Sequence, residues 1–355
     1  TCFFRRTNES FLICFAFFII FALSVIGNAL VIAVILRQRG MRSITNTYLL
    51  NLAMTDLMLS AICMPPTLVS MVINCWMFGN LMCKLFAYLQ PVVVTASAYT
   101  LAVIAFERYY AICRPLHSRI WQTRRHAYWM IFLVWVVALL SNIGVPFMYE
   151  MRPYNMNGLT CTQIHSPLVH FGYQVYMTVV LLGIPLTVMT VLYGAVIHTL
   201  RSGILMDIAA VETTALTREI SLSLSLSLSL LSVLPLPPFS LSLSHPSACS
   251  LLSSAPAMTA QSIRSTHTVK SAMAKQRVIR MLLVVVVIFF CCWTPSYIFW
   301  LLVVAGDVFE GGPRVWNPDV NTFITVLTYL SSCTNPITYC FMNKKFRTAM
   351  LAMFG

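Results

Sequence analysis

Charge is scarce in this chain. Of 355 residues only 33 are ionised at neutral pH, 23 Lys or Arg and 10 Asp or Glu, which is 9% against about 25% in an ordinary soluble chain. That excludes a soluble multi-domain protein. The seven His are scattered without metal-ligand spacing, and no Ser/His/Asp set falls at a common depth. Neither a metal centre nor a catalytic triad is expected, and the chain reads as no enzyme. A signal-peptide pattern is also missing: the chain opens at Thr1 with a short polar stretch and no Met, so residues 1–10 read as a truncated outer N-terminus. Asn8-Glu9-Ser10 in that stretch is a glycosylation sequon, but one close to the bilayer.

Apolar residues, by contrast, make up 59% and fall in long blocks. A block of about 20 apolar residues crosses about 30 Å of hydrocarbon as a helix. Seven spans are predicted: Phe11–Leu36, Tyr48–Ile73, Cys83–Ile112, Tyr128–Met148, Phe171–Leu200, Arg277–Val304 and Asn317–Phe341. The fold class is therefore an all-α membrane protein, a seven-transmembrane-helix bundle. Residues 11–200 hold the first five helices and 277–341 the last two; 342–355 follow as a short amphipathic helix. Eighteen of the 23 cations lie around the first, third and fifth connections and after the seventh span, and only Arg5, Arg6, Lys84, Arg152 and Arg314 lie on the other side. Basic residues concentrate in cytoplasmic loops, so the N-terminus faces out. The net charge of +13 is thus topology, and no nucleic acid partner is implied.

Residues 201–276 form the third cytoplasmic loop. Within it Ser221–Leu230 alternates strictly between Ser and Leu, and a Pro- and Ser-rich run follows to Pro256. An eighth span is rejected, because one more crossing would place Lys344, Lys345 and Arg347 outside. Residues 221–254 read as translated simple-repeat or retained-intron sequence, an artefactual low-complexity insert expected to be disordered.

Charge at membrane depth marks function, and two acids qualify, Asp56 and Glu107. Asn28, Ser97, Ser332 and Asn335 are candidate company for Asp56; a carboxylate with hydroxyl and amide oxygens suits Na⁺ or a shared proton. The bland alternative is a polar cluster that glues helices together. Prolines recur at Pro65, Pro66, Pro91, Pro146, Pro185, Pro295 and Pro336, each a candidate kink. Three motifs stand in order on the third, sixth and seventh spans: Glu107-Arg108-Tyr109, Cys292-Trp293-Thr294-Pro295 and Asn335-Pro336-Ile337-Thr338-Tyr339.

With these motifs the chain resembles the rhodopsin-like (class A) G-protein-coupled receptors. Gly27-Asn28, Asp56, Cys83 placed 25 residues before Arg108, Trp135, Cys161, and Pro185 with Tyr193 extend the likeness over nearly the whole chain apart from the insert. Within that class, residues 114–123, 277–281 and 340–347 resemble the cholecystokinin/gastrin/sulfakinin peptide receptors. The resemblance implies a multi-pass plasma-membrane receptor with a Cys83–Cys161 disulfide, an extracellular peptide ligand and a heterotrimeric G protein, of the Gq type, as partner. Arrestin and the surrounding lipids are further implied partners. No cofactor is implied beyond an allosteric sodium ion at Asp56, Ser97, Ser332 and Asn335. Cys75 and Cys2 also lie outside, and a second bridge between them stays open.

The resemblance also names the switch: Glu107, Arg108, Tyr109, Tyr193, Trp293, Pro295, Asn335, Pro336 and Tyr339. Helix 6 moves outward about Pro295, Tyr193 and Tyr339 accompany Arg108 in the active state, and Glu107 holds Arg108 at rest. Lys275 stands where many class A receptors place an acid, so a second lock is absent and some basal activity is expected. Gln90 occupies the position where amine receptors carry an Asp, and the seventh span has no Lys for retinal. Gln90 both donates and accepts, and with Trp293, Tyr297 and Trp300 it forms the expected site for a short amidated peptide. Trp76 and Trp316 read equally as an interfacial belt. Where cholecystokinin receptors carry a basic residue after the loop Cys and an Asn and an Arg on helix 6, this chain has Thr162, Trp300 and Val303, so a sulfated ligand is not expected unless Arg152 or Arg314 has taken over. A receptor for a different amidated neuropeptide is the alternative within the class. An ion-coupled transporter is the alternative outside it, disfavoured because no second half repeats the acid or a broken helix.

Overall fold

The computed structural model describes residues 7–154, 158–231, 255–309 and 315–354. The chain forms two compact units, residues 1–196 with 278–355, and residues 197–277.

The first unit is a helical bundle. Its spans are Asn8–Arg37, Ile44–Ile73, Gly79–Cys113, Arg124–Met148, Pro167–Gly203, Gln276–Val308 and Pro318–Met342, the fifth and sixth running on into the second unit. Starts coincide with side chains that satisfy orphan N–H groups. Thr7, Ser43, Thr123 and Asn317 accept from the backbone N–H of Ser10, Asn46, His126 and of both Asp319 and Val320. The Asn8 sequon is consumed by the first of these starts: Asn8 opens the helix and the Ser10 hydroxyl lies 3.0 Å from that of Thr7.

Six of the spans are apolar enough to cross a bilayer on hydropathy alone, and the seventh is not among them. Its 25 residues still reach about 37 Å at 1.5 Å each. Its buried face carries Thr328, Ser331, Ser332, Asn335 and Thr338, whose polarity lowers the mean hydropathy. Ser331, Ser332 and Thr338 donate back to the carbonyls of Thr328, Tyr329 and Thr334 at 2.7, 2.7 and 2.9 Å, so the face is self-satisfied in a setting without water.

Proline has two outcomes. Pro65, Pro66 and Pro185 follow single π-helical turns at Leu59–Cys63 and Val179–Gly183, where the missing N–H and the ring clash with the preceding turn are absorbed by one wider turn. Pro91, Pro295 and Pro336 sit inside unbroken helices. The small residues Ala96 and Ala138, with Val92 and Val134, close the third span onto the fourth. Gly27 does the same between the first and seventh: a Cβ there would lie 2.9 Å from Pro336 Cβ.

In the second unit the disorder expected for the insert does not hold at its start. The helix Ile184–Leu231 carries through the Ser-Leu alternation. Leu is a strong helix former, and Ser223 and Ser225 donate to the carbonyls of Ile220 and Leu222 at 2.9 Å each. The alternation, which looks like neither helix nor loop by pattern, thus finds local hydrogen bonds within a helix. Residues 232–254 of the insert lie outside the described residues, and Ala255–Val308 is helical. After the seventh span, Lys344–Phe354 forms the short amphipathic helix.

Candidate functional site

The outer half of the bundle encloses a cavity of about 270 Å³. All four residues expected to meet a ligand, Gln90, Trp293, Tyr297 and Trp300, line it, together with Tyr149, Tyr173, Gln174, Met177 and Ser296. Among the described residues, no ionisable side chain other than tyrosine borders it. Trp293 is at its base, donating from Nε1 to Ser331 Oγ at 3.1 Å, with its ring 6.4 Å from that of Tyr297.

A hairpin covers this end. Strand β1 (Tyr149–Tyr154) pairs antiparallel with β2 (Gly158–Gln163), with Met151 opposite Cys161. Cys161 is disulfide-bonded to Cys83 at the start of the third span, Cα–Cα 5.5 Å, as the resemblance implied. Gln163 Nε2 donates to the Tyr149 hydroxyl at 2.9 Å. Burial holds the Tyr149 phenol above its ordinary value, and the Gln163 bond only partly offsets this, so Tyr149 presents a neutral hydroxyl. Cys75 is disulfide-bonded as well; Cys2 lies outside the described residues.

The two belt tryptophans part company. Trp76 is buried; its backbone N–H donates to Leu159 O at 2.7 Å and its Nε1 to Gly79 O at 2.9 Å. It anchors the hairpin, so the interfacial-belt reading does not hold for it. Trp316 stays 55% exposed but packs on Trp300 and Phe299 at 5.8 and 6.2 Å between ring centroids, extending the aromatic wall above the cavity. Of the cations weighed as sulfate readers, Arg152 is exposed with its Nε 3.6 Å from Glu150 Oε2, and Arg314 lies outside the described residues.

Below Trp293 the polar residues divide into separate sets. Asn335 Nδ2 donates to Asp56 Oδ2 at 2.7 Å. Ser97, expected beside Asp56, donates instead to Thr55 Oγ1 at 2.8 Å. Ser332 lies 3.0 Å from Ser60 Oγ, which in turn is 2.6 Å from Ser24 Oγ, and Asn28 Nδ2 donates to the carbonyls of Ser24 and Ser332. Asn51 joins three spans, donating to Thr100 Oγ1 at 2.8 Å and accepting from Trp135 Nε1 at 3.0 Å. Asp56 and Asn335 therefore form the candidate cation site, while Ser97 and Ser332 have hydroxyls committed elsewhere.

At the cytoplasmic end the pairing expected between Glu107 and Arg108 is not the one found. Glu107 Oε1 accepts from Tyr48 OH at 3.3 Å and stands 3.8 Å from His126 Nε2. Arg108 Nη2 donates to Thr45 Oγ1 at 2.8 Å. Arg108 lies within electrostatic reach of Glu107 and of Tyr193, and Tyr193 of Tyr339. The hydroxyls of Tyr193 and Tyr339 are buried without a hydrogen-bond partner. Tyr109 packs edge-on against Tyr110 at 5.5 Å. Among the described residues, sequence reasoning missed Tyr48, Thr45 and His126 at this end and Tyr149, Tyr173 and Gln174 at the other. Tyr149 and Gln174 carried a signal, being polar residues close to span ends; His126 did not, since its role depends on a fold contact.

The family described as 7 transmembrane receptor (rhodopsin family) matches residues 27–339. The chain is 36% identical over 347 residues to the human cholecystokinin receptor type A, covering 95% of this chain and 78% of that protein. It is 34% identical over 358 residues to a cholecystokinin receptor of Xenopus laevis, covering 95% and 75%. With the mouse gastrin/cholecystokinin type B receptor it shares 35% identity over 354 residues, 94% of this chain and 76% of that protein.

Proposed function

The chain belongs to the rhodopsin family of seven-transmembrane receptors, and on that premise we propose that it detects an uncharged, C-terminally amidated peptide and passes the signal to a Gq-type G protein. It is a multi-pass plasma-membrane receptor and not an enzyme. Its curated relatives are cholecystokinin and gastrin receptors, which supports an extracellular peptide ligand and a heterotrimeric G protein as partners here.

The observation that carries the finer reading is the cavity wall. Gln90 and Gln174 each offer a donor and an acceptor, Ser296 and the three tyrosines offer hydroxyls, and no cation lines it among the described residues. A primary amide is matched by such a wall, while a carboxylate or sulfate would be desolvated without a counter-charge, at an effective cost of several kcal/mol. The aromatic side chain of the peptide's last residue packs between Tyr297 and Trp300 above Trp293. Entry of the peptide changes the packing on Trp293, which is bonded to Ser331, and biases the sixth helix about Pro295. A ligand shifts such an equilibrium only by its differential affinity for the two arrangements.

For an allosteric Na⁺, Asp56 supplies a buried carboxylate, a hard donor; Asn335 meets it through its amide N–H, so the Asn335 oxygen would face the ion only once that bond has broken. Arrestin would engage the same cytoplasmic end as the G protein. The test is inositol phosphate release in cells expressing the chain, challenged with amidated cholecystokinin- and sulfakinin-type peptides with and without a Gq inhibitor. A response abolished by the inhibitor supports the reading; a response that the inhibitor leaves intact refutes Gq coupling, and silence to all such peptides refutes the ligand class.

A further inference from the structure

Glu107 and Arg108 are adjacent in sequence and opposite in charge, Glu107 buried and Arg108 partly so, yet the hydrogen bonds each makes go to other residues. The Glu107 side chain is 2% exposed. One oxygen faces His126 Nε2 at 3.8 Å and accepts from Tyr48 OH at 3.3 Å, while Oε2 has no hydrogen-bond partner. Arg108 reaches across to Thr45 and leaves its buried Nε without a partner. These unmet atoms are the ones a direct Glu107–Arg108 pair would satisfy.

His126 is fixed beside Glu107 by its own loop, its Nε2 buried with no hydrogen-bond partner. Its backbone N–H is bonded to Thr123 Oγ1 at 3.2 Å at the start of the fourth span. Its ring lies on Trp121, 4.1 Å between centroids. Trp121 ends the short helix Pro115–Trp121 and also packs on Phe106 and Tyr110 of the third span. The next residue, Gln122, donates to the backbone carbonyl of Glu107 at 2.8 Å. The loop between the third and fourth spans thus places the imidazole against one particular carboxylate.

We propose that His126 is a positioning residue of the switch: seated on Trp121, it holds the Glu107 carboxylate away from Arg108 and so raises the ligand-free population of the open bundle. A buried carboxylate deprived of its partner takes another, and Arg108 is the cation next to it in the chain. The inference rests on the receptor reading above for what an open bundle does, but not on which peptide or G protein is used.

The test therefore reads the bundle directly. Spin labels on p-acetylphenylalanine at Arg39 and Val278, at the cytoplasmic ends of the first and sixth spans, report their separation by double electron–electron resonance in the full chain in lipid nanodiscs without ligand. His126→Phe keeps the ring on Trp121 and removes the nitrogens; it is expected to reduce the long-separation population at least threefold. His126→Lys, which puts back a nitrogen donor able to reach Glu107, is expected to recover it. In a Glu107→Gln background, His126→Phe is expected to change nothing. An unchanged or larger long-separation population in His126→Phe, the same loss in both backgrounds, or no recovery with Lys overturns the proposal. A failure of peptide or Gq signalling would leave these distances unaffected, so the two failures are distinguishable.

Discussion

Asn335 donates to Asp56 at 2.7 Å, joining the seventh span to the second through a buried carboxylate. A hydrogen bond to a charged group contributes about 1.5–3 kcal/mol, and the Asp56 carboxylate that accepts it is the hard-oxygen donor assigned to Na⁺. If Na⁺ binds there, it stabilises the ligand-free receptor by mass action, about 1.4 kcal/mol at a tenfold excess over Kd. Thermal unfolding of the purified receptor is expected at a higher temperature in NaCl than in choline chloride at equal ionic strength, and Asp56→Asn is expected to abolish the difference. Equal salt responses in the two proteins would rule the site out.

Gly27 permits the first and seventh spans to touch. A Cβ at this position would sit 2.9 Å from Pro336 Cβ and 3.1 Å from its Cγ, and a proline ring has little freedom to yield. Gly27→Val is expected to destabilise the bundle by about 1–3 kcal/mol, the usual cost of overpacking. The check is thermal stability in detergent together with surface expression, both lowered. Wild-type values for Gly27→Val would mean that the two helices are not in contact here.

Sulfation is expected to add little. Charge-assisted hydrogen bonds of about 1.5–3 kcal/mol each are what a sulfate reader supplies; the cavity offers no cation, and Arg152 on the exposed hairpin already faces Glu150. Sulfated and unsulfated forms of one peptide are expected to differ by less than about tenfold in calcium response, equivalent to less than about 1.4 kcal/mol. Arg152→Ala is expected to leave their ratio unchanged. A hundredfold preference for the sulfated form, lost in Arg152→Ala, would move the reader to the hairpin.

Much of this architecture is legible in the residues. The apolar blocks mark all seven spans, although the seventh, whose inward face is polar, falls below the hydropathy that the other six reach. The aromatic residues and Gln90 mark the cavity because they stand one to two turns apart on facing spans. What pattern reading gets wrong is which polar group meets which. Ser97 and Ser332 look like partners for Asp56, but Ser97 bonds Thr55, and Ser332 bonds its own helix and stands beside Ser60; a helix rotation of a fraction of a turn decides this, and composition does not encode it. His126 is a similar case, since its meeting with Glu107 requires the loop through Trp121 to fold back first. The Ser-Leu tract fails for a different reason. Low complexity argues for disorder, whereas local hydroxyl-to-carbonyl bonds carry the helix on to Leu231.

The central claim, that the uncharged cavity reads a peptide amide through Gln90, is tested most directly by calcium responses to one peptide in C-terminally amidated and free-acid forms, in cells with matched surface levels of wild type and Gln90→Leu. An unpaired buried polar group costs about 1–3 kcal/mol. The amidated form is expected to be at least tenfold more potent on wild type, and the gap is expected to collapse in Gln90→Leu through loss of potency of the amidated form. Equal potency of the two forms on wild type, or a gap that Gln90→Leu leaves intact, would contradict the account.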